Sequence, residues 1–243
     1  MSVRRYTMSD IHAHTLFGID DGSTSLKMSM ELLLLAYREG IDDMVCASHS
    51  WGDMKNYQKN FARLKRAVRE QGLYIRIYPG SEVHCRKQDI HELIAGVNEG
   101  TIKTINRGNH LLVEFSPNAQ PEDILLCSKM IRQQTGKQIV IAHIERCRNL
   151  EKNMDAVEQL QNMDCFLQLN AYSLVSEKRG ETKEFARKLI DQGRIAFLGS
   201  DCHRTDHRPP RVQEGLRYIH ETCDEDYAEA VCTRNARILL LNR

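Results

Sequence analysis

Asp10-Ile11-His12-Ala13-His14, followed by Gly18-Ile19-Asp20-Asp21-Gly22, is the stretch from which the fold of this 243-residue chain can be worked out. It reads as a first β-strand and the loop that leaves it. Side chains alternate faces along a strand, so two histidines one residue apart point to the same side, where their ring nitrogens can share a cation. The two aspartates follow in a glycine-bounded loop of little bulk, placed where oxygen ligands could close over the same cation or a neighbour. A His-x-His pair also arises by chance, so the rest of the chain has to decide what this one does.

Outward from that stretch, short apolar runs alternate with helical patterns, without a linker, a low-complexity tract or a break in composition. One domain over residues 1–243 is expected. Leu26, Met30, Leu33, Leu34 and Tyr37 keep helical spacing, and Gly40 stops that helix. Further strands are expected at residues 44–47, 74–78, 111–113, 138–142, 166–169 and 195–198. Helices are expected at 55–71, 89–97, 121–134, 154–160, 183–192, 212–222 and 226–241. The strongly basic run 55–71 has Phe61, Leu64 and Val68 on one stripe, which describes a helix with a solvated charged face.

Strands separated throughout by helices need crossover connections, which make a parallel sheet, and closure into a (β/α)7 barrel is the favoured outcome. The positions of the metal-capable residues support closure. His12, His14, His49, Glu82, Glu114, His143, Asp201 and His203 all fall at or just past the end of an expected strand. In a barrel those ends share one rim, where barrel enzymes keep their chemistry. His91 and His220 fall on helical patterns and His110 in a loop, and read as surface or capping residues. His84 faces the same side as Glu82, so spacing alone leaves its role open. Asn170 could hydrogen-bond a ligand or cap the sixth strand.

Charge and cysteine usage narrow the class. Lysine plus arginine number 34 against 33 acidic residues, so no overall field recruits nucleic acid or an anionic membrane. Residues 1–10 carry Arg4 and Arg5 with no apolar stretch behind them, and no segment has membrane-spanning length, so a cytoplasmic protein without membrane insertion is expected. Eight cysteines are scattered singly with no Cys-x-x-Cys pair, as reduced and mostly buried thiols would be. Cys202 and Arg208 have the spacing of cysteine-dependent tyrosine phosphatases. Residues 203–207 contain no glycine, however, and Pro209-Pro210 prevent a helix from starting at the arginine, so the phosphate cradle of that chemistry cannot form.

Four or five imidazoles and four carboxylates exceed the needs of one ion, and a nitrogen-and-oxygen donor set without thiolate suits Mn²⁺, Fe²⁺ or Zn²⁺ in a multinuclear cluster. Clusters of this kind are suited to phosphate esters, because one metal makes hydroxide at neutral pH while others neutralise phosphoryl oxygens.

The opening run, with His49, Pro79-Gly80-Ser81-Glu82, Glu114-Phe115, Ala142-His143-Ile144-Glu145-Arg146, Ser200-Asp201-Cys202-His203 and Arg208-Pro209-Pro210, resembles the PHP (polymerase and histidinol phosphatase) superfamily. Within it the chain is most similar to the bacterial manganese-dependent protein tyrosine phosphatases of the CpsB/YwqE type. The resemblance implies a distorted (β/α)7 TIM-like barrel with three divalent metal ions, manganese foremost, although the donors also fit iron, zinc or cobalt. It implies one metal on His12, His14, Glu82 and Asp201, and a second on Glu82, Glu114 and His143. A third would take His49, His203 and Asp21, which matches the family pattern better than Asp20. Arg146 and Arg208 match arginines that hold the phosphate. Ile144 stands where the family usually has proline, and Ser48-His49 where it has a Pro-His step, departures that bear on loop shape and substrate choice.

The activity implied is hydrolysis of phosphotyrosine in proteins by direct attack of a metal-bound hydroxide, opposing a bacterial tyrosine kinase in the control of capsule or exopolysaccharide. A small-molecule phosphatase of the histidinol-phosphate type would use the same metals, but the short connections lack a lid and favour an open mouth. A nuclease is disfavoured by the near-neutral charge and the lack of a basic, aromatic-rich track. A catalytically idle scaffold is opposed by the full set of ligands.

Overall fold

The computed structural model describes residues 5–177 and 180–241; Arg4, read above as part of the N-terminal segment, lies outside them. Seven strands form one sheet: β1 (Met8–Ala13), β2 (Ile41–His49), β3 (Arg76–Cys85), β4 (His110–Phe115), β5 (Gln138–Ile141), β6 (Phe166–Asn170) and β7 (Phe197–Gly199). They pair in chain order and every pair is parallel. The sheet closes just beyond β7, where Ala13 pairs with Cys202. There the Asp201 amide donates to the His12 carbonyl and the His14 amide to the Cys202 carbonyl, both at 2.8 Å. The expected seven-stranded barrel is what forms.

Around it lie α1 (Leu26–Arg38), α2 (Met54–Glu70), α3 (Ile90–Asn98), α4 (Pro121–Thr135), α5 (Arg148–Glu151), α6 (Met154–Asn162), α7 (Gly180–Asp191), α8 (Gln213–Thr222), α9 (Glu225–Glu229) and α10 (Asn235–Leu241). The last two were expected as one uninterrupted helix, but a π-helical stretch, Ala230–Arg234, separates them. Within it the Thr233 hydroxyl donates back to the Glu229 carbonyl at 3.1 Å, a competition that loosens a helical turn. No helix among the described residues is long and apolar enough to cross a membrane.

Period-two alternation divides the apolar residues into two layers. Ile11, Val45, Ala47, Leu112, Val140, Ala142 and Phe197 fill the barrel, plugged from below by Ile105 and by Ala236, Leu239 and Leu240 of α10. Met44, Cys46, Leu111, Val113, Ile139 and Ile141 face outward into the layer packed against the helices. Strands buried on both faces read as near-continuous apolar runs, which is why they were visible in the sequence.

Strand β3 runs past the expected end at Tyr78 to Cys85, carrying Pro79 inside it. Proline removes a ladder donor, and the expected strand stops just before it. The Tyr57 hydroxyl of α2 repairs the gap, donating to the Cys46 carbonyl at 2.8 Å and accepting from the Gly80 amide at 2.9 Å.

Candidate metal centre

The inward faces of β2, β3 and β4 lead from the core to the site by steps of two: Val45, Ala47, His49 on β2, Gly80 and Glu82 on β3, Leu112 and Glu114 on β4. Glu82 and Glu114 therefore sit within their strands, not past the ends as the shorter expected strands had placed them. Strand β1 reaches the same mouth with a change of step. Asp10 pairs with Met44 and Ala13 with Cys46, so three steps on β1 span two on β2. A bulge of this kind re-aims side chains beside active sites. Ile11 faces the barrel interior and His12 does too, with His14 beyond Ala13.

Three further groups arrive on backbone that L-residues seldom adopt: His143 has φ 30°, Asp201 φ 51° and Arg208 φ 59°. Strain of this kind persists where surrounding contacts impose it, and it gathers at functional sites. The first loop folds back tightly over β1. A Cβ on Gly22 would fall 2.2 Å from the His14 carbonyl oxygen, so only glycine permits this return.

His12 and His14 are held in fixed ring orientations. Gln168 Oε1 accepts from the His143 backbone amide at 2.8 Å and lies 3.1 Å from His12 Nδ1, so that ring nitrogen is the donor. His14 Nδ1 lies 2.8 Å from Asp20 Oδ2, which also accepts from the His49 amide. With both Nδ1 atoms committed, the two Nε2 atoms face each other at 3.3 Å. His12 Nε2 is 3.2 Å from Glu82 Oε1 and 3.6 Å from Asp201 Oδ1. His14 Nε2 is 3.3 Å from Glu82 Oε2 and 3.5 Å from the same Asp201 oxygen. Ligands bonded at about 2.1 Å in a tetrahedron lie about 3.4 Å apart, so these atoms are spaced as the corners of a coordination polyhedron would be. Glu82 Oε1, buried without a hydrogen-bond partner, fits the same description.

Further groups with ligand atoms within 4.8 Å of one another are His12, Glu82 and His143; His49, Glu82 and Glu114; and His14, Asp21, His49 and His203. Asp20 is committed to His14 and His49, whereas Asp21 Oδ1 stands 3.7 Å from the Nε2 atoms of both His49 and His203. The geometry thus brings all nine expected metal residues to one mouth. Arg146 and Arg208 are there also, both donating to Asp201 Oδ2. His84 bonds Glu114 Oε2 through Nδ1 at 3.1 Å, and His207 is exposed. Gln168, absent from the sequence reading, and Asn170, left open there, support the ligands: Gln168 donates to Asn170, and Asn170 to Asp201 Oδ2 at 3.2 Å.

Burial alone would neutralise the carboxylates, yet Glu82 is held well below the usual range by His12, His14 and His143. Against the same burial, Arg146 and then the imidazoles hold Asp201 well below it. Burial and the neighbouring His14 push His203 down to about 3, so its ring is neutral. Charged carboxylates and a neutral imidazole are the protonation states that a cation requires. Burial also lowers His14, but Asp20 and Glu82 outweigh it and hold the ring well above its ordinary value, a demand for positive charge at this point. The donor set, oxygen and nitrogen without thiolate, fits hard or borderline divalent ions.

A family model described as capsular polysaccharide synthesis, CpsB/CapC, matches residues 8–241. The chain belongs to the CpsB/CapC family. Among its relatives, the tyrosine-protein phosphatase CpsB of Streptococcus agalactiae serotype III is 29% identical over 97% of this chain and 99% of its own length. A structure from the work on YwqE of Bacillus subtilis and CpsB of Streptococcus pneumoniae, described as metal-dependent tyrosine phosphatases, superposes with a TM-score of 0.85. It covers 97% of this chain and 95% of that one at 24% identity. The histidinol phosphate phosphatase of Lactococcus lactis, solved with zinc, histidinol and phosphate, shares the fold at a TM-score of 0.58 and 13% identity, covering 88% of this chain and 93% of its own. The CpsB/CapC assignment and the barrel agree with the sequence-based expectation.

Proposed function

We propose that this CpsB/CapC chain is a metal-dependent phosphatase that hydrolyses phosphotyrosine in proteins. His12, His14, Glu82 and Asp201 would hold one cation, Glu82, Glu114 and His143 a second, and Asp21, His49 and His203 a third, with manganese the proposed metal. The observation that carries this is the pair of Nε2 atoms of His12 and His14, 3.3 Å apart and closed in by Glu82 and Asp201.

When bound, divalent cations acidify a water to give hydroxide near neutral pH and neutralise phosphoryl oxygens. The chain's own residues supply the rest. Arg146 and Arg208 line the cavity above the cluster and share Asp201 Oδ2, which holds their forks at one edge of the mouth. Planar guanidiniums bind two phosphoryl oxygens at once and stabilise charge spread over the transferring group. Gln168 and Asp20 hold the rings of His12 and His14 with Nε2 turned inward. A tyrosine phenolate needs no strong acid to leave, because its conjugate acid has a pKa of about 10.

The end-to-end match to relatives named tyrosine-protein phosphatases supports this substrate over histidinol phosphate, whose enzyme is similar in fold alone. A tyrosine kinase of a capsule or exopolysaccharide system, in the cytoplasm, is the proposed physiological partner. Parallel assays of the metal-loaded protein on a tyrosine-phosphorylated peptide, histidinol phosphate and single-stranded DNA test it. Turnover should be confined largely to the phosphopeptide; faster turnover of histidinol phosphate would replace this assignment with the metabolite one.

A further inference from the structure

Twelve residues line the cavity of about 290 Å³ above the metal centre, and among these described residues eleven are acidic, basic or imidazole side chains. The twelfth is Trp51, in the turn that leaves β2. Trp51 is 62% exposed. Leaving so large an apolar surface in water forgoes more burial energy than for almost any other residue. Its indole stacks on the His49 ring with centroids 4.9 Å apart and planes 22° from parallel. The turn itself is pinned on both sides: the Ser50 amide donates to the Glu82 carbonyl at 2.8 Å, the Gly52 amide to His49 at 3.0 Å, and the Asp53 amide to Ile19 at 2.7 Å. The turn that carries the indole is therefore held in place at the mouth.

We infer that Trp51 sets the substrate preference of the site: its indole is the surface against which the aromatic ring of an aryl phosphate rests while the phosphate lies among the arginines and ligand residues. This rests on the phosphatase assignment and adds to it the element that separates aryl from alkyl esters. A phosphomonoester brings an anionic head and a leaving group into this cavity. The head finds Arg146 and Arg208. A phenyl ring beside charged groups alone would keep its water, whereas against the indole it gains an aromatic contact. The short alkyl chain of phosphoserine has no ring to place there.

The test combines kinetics with the emission of Trp51, the one tryptophan in the chain. Metal-loaded wild type, Trp51→Ala and Trp51→Phe are assayed on phosphotyrosine and phosphoserine forms of one peptide, and wild-type emission is titrated with phenylphosphonate and with methylphosphonate. Trp51→Ala should lower kcat/KM for the phosphotyrosine peptide about tenfold more than for the phosphoserine peptide, while Trp51→Phe keeps most of the discrimination. Phenylphosphonate should change the emission at concentrations where methylphosphonate does not. Equal losses on both peptides, or equal responses to both phosphonates, overturn the assignment; if phosphoserine turnover is below detection, the emission titration decides. A wild type that hydrolyses no aryl phosphate ends the phosphatase assignment as well, which distinguishes that failure from a failure of Trp51 alone.

Discussion

Gln168 shows how much of the proposed metal site can rest on a residue outside its ligand set. Its side-chain oxygen orients His12 and braces the backbone of His143, and its amide holds Asn170. Partners of this kind fix the tautomer of a ligating imidazole. Replacing Gln168 with Leu should weaken divalent-metal affinity about 10- to 100-fold while the protein stays folded, measured by metal titration; unchanged affinity would show that His12 does not depend on it. The signal for Gln168 was present in the sequence, as a polar residue in the middle of a buried strand. What it bonds could not be read there, because the partners lie 156 and 25 positions away. Cys202 makes the opposite point. Its spacing from Arg208 imitates a thiol phosphatase, but it is fully buried, and burial pushes its thiol far above the range in which a nucleophilic thiolate exists. Cys202→Ser should retain phosphatase activity, and loss of turnover in a folded Cys202→Ser protein would revive thiol chemistry.

Among the elements, the strands divide their work between the two ends of the barrel. The mouth carries the cluster, and the other end is tied by Asp43 near the start of β2. Asp43 is 1% exposed and accepts from Ser9 of β1, from Arg76 and Tyr78 of β3 and from Arg237 of α10. Losing a buried carboxylate with this many donors should cost about 2–4 kcal/mol, so Asp43→Ala should lower Tm by several degrees with metal affinity unchanged. Burial raises the Asp43 carboxyl, but Arg76 outweighs it and holds the group below its ordinary value. A depressed folded value means that the stabilisation is complete above the unfolded value of about 4 and fades as pH falls below it. The stability gap between wild type and Asp43→Asn, followed by denaturant unfolding, should therefore close as pH falls from about 5 toward 3; a gap that widens would contradict the pairing. The order and kind of these elements were legible because buried parallel strands are apolar runs and helices are amphipathic. The β1 bulge, the repair of β3 by Tyr57 and the π-helical stretch were not, since each arises from contacts between elements distant in the chain.

At the scale of the whole molecule, closure of the barrel turns a sequence list into a site. Residues between positions 21 and 208 meet within one cavity because strand ends converge there, and period-two alternation points His49, Glu82 and Glu114 into it. The sequence could propose this set because rim residues follow strands. It could not show the Nε2 atoms turned toward each other, the arginines gathered on Asp201 or the positive φ of His143, Asp201 and Arg208, all of which depend on closure. The most direct measurement is the rate of phosphotyrosine-peptide hydrolysis by protein stripped of metal with a chelator, before and after Mn²⁺ is returned. Stripped protein should be inactive and regain turnover with Mn²⁺; full turnover by protein verified to be free of metal would contradict the metal centre on which everything else depends.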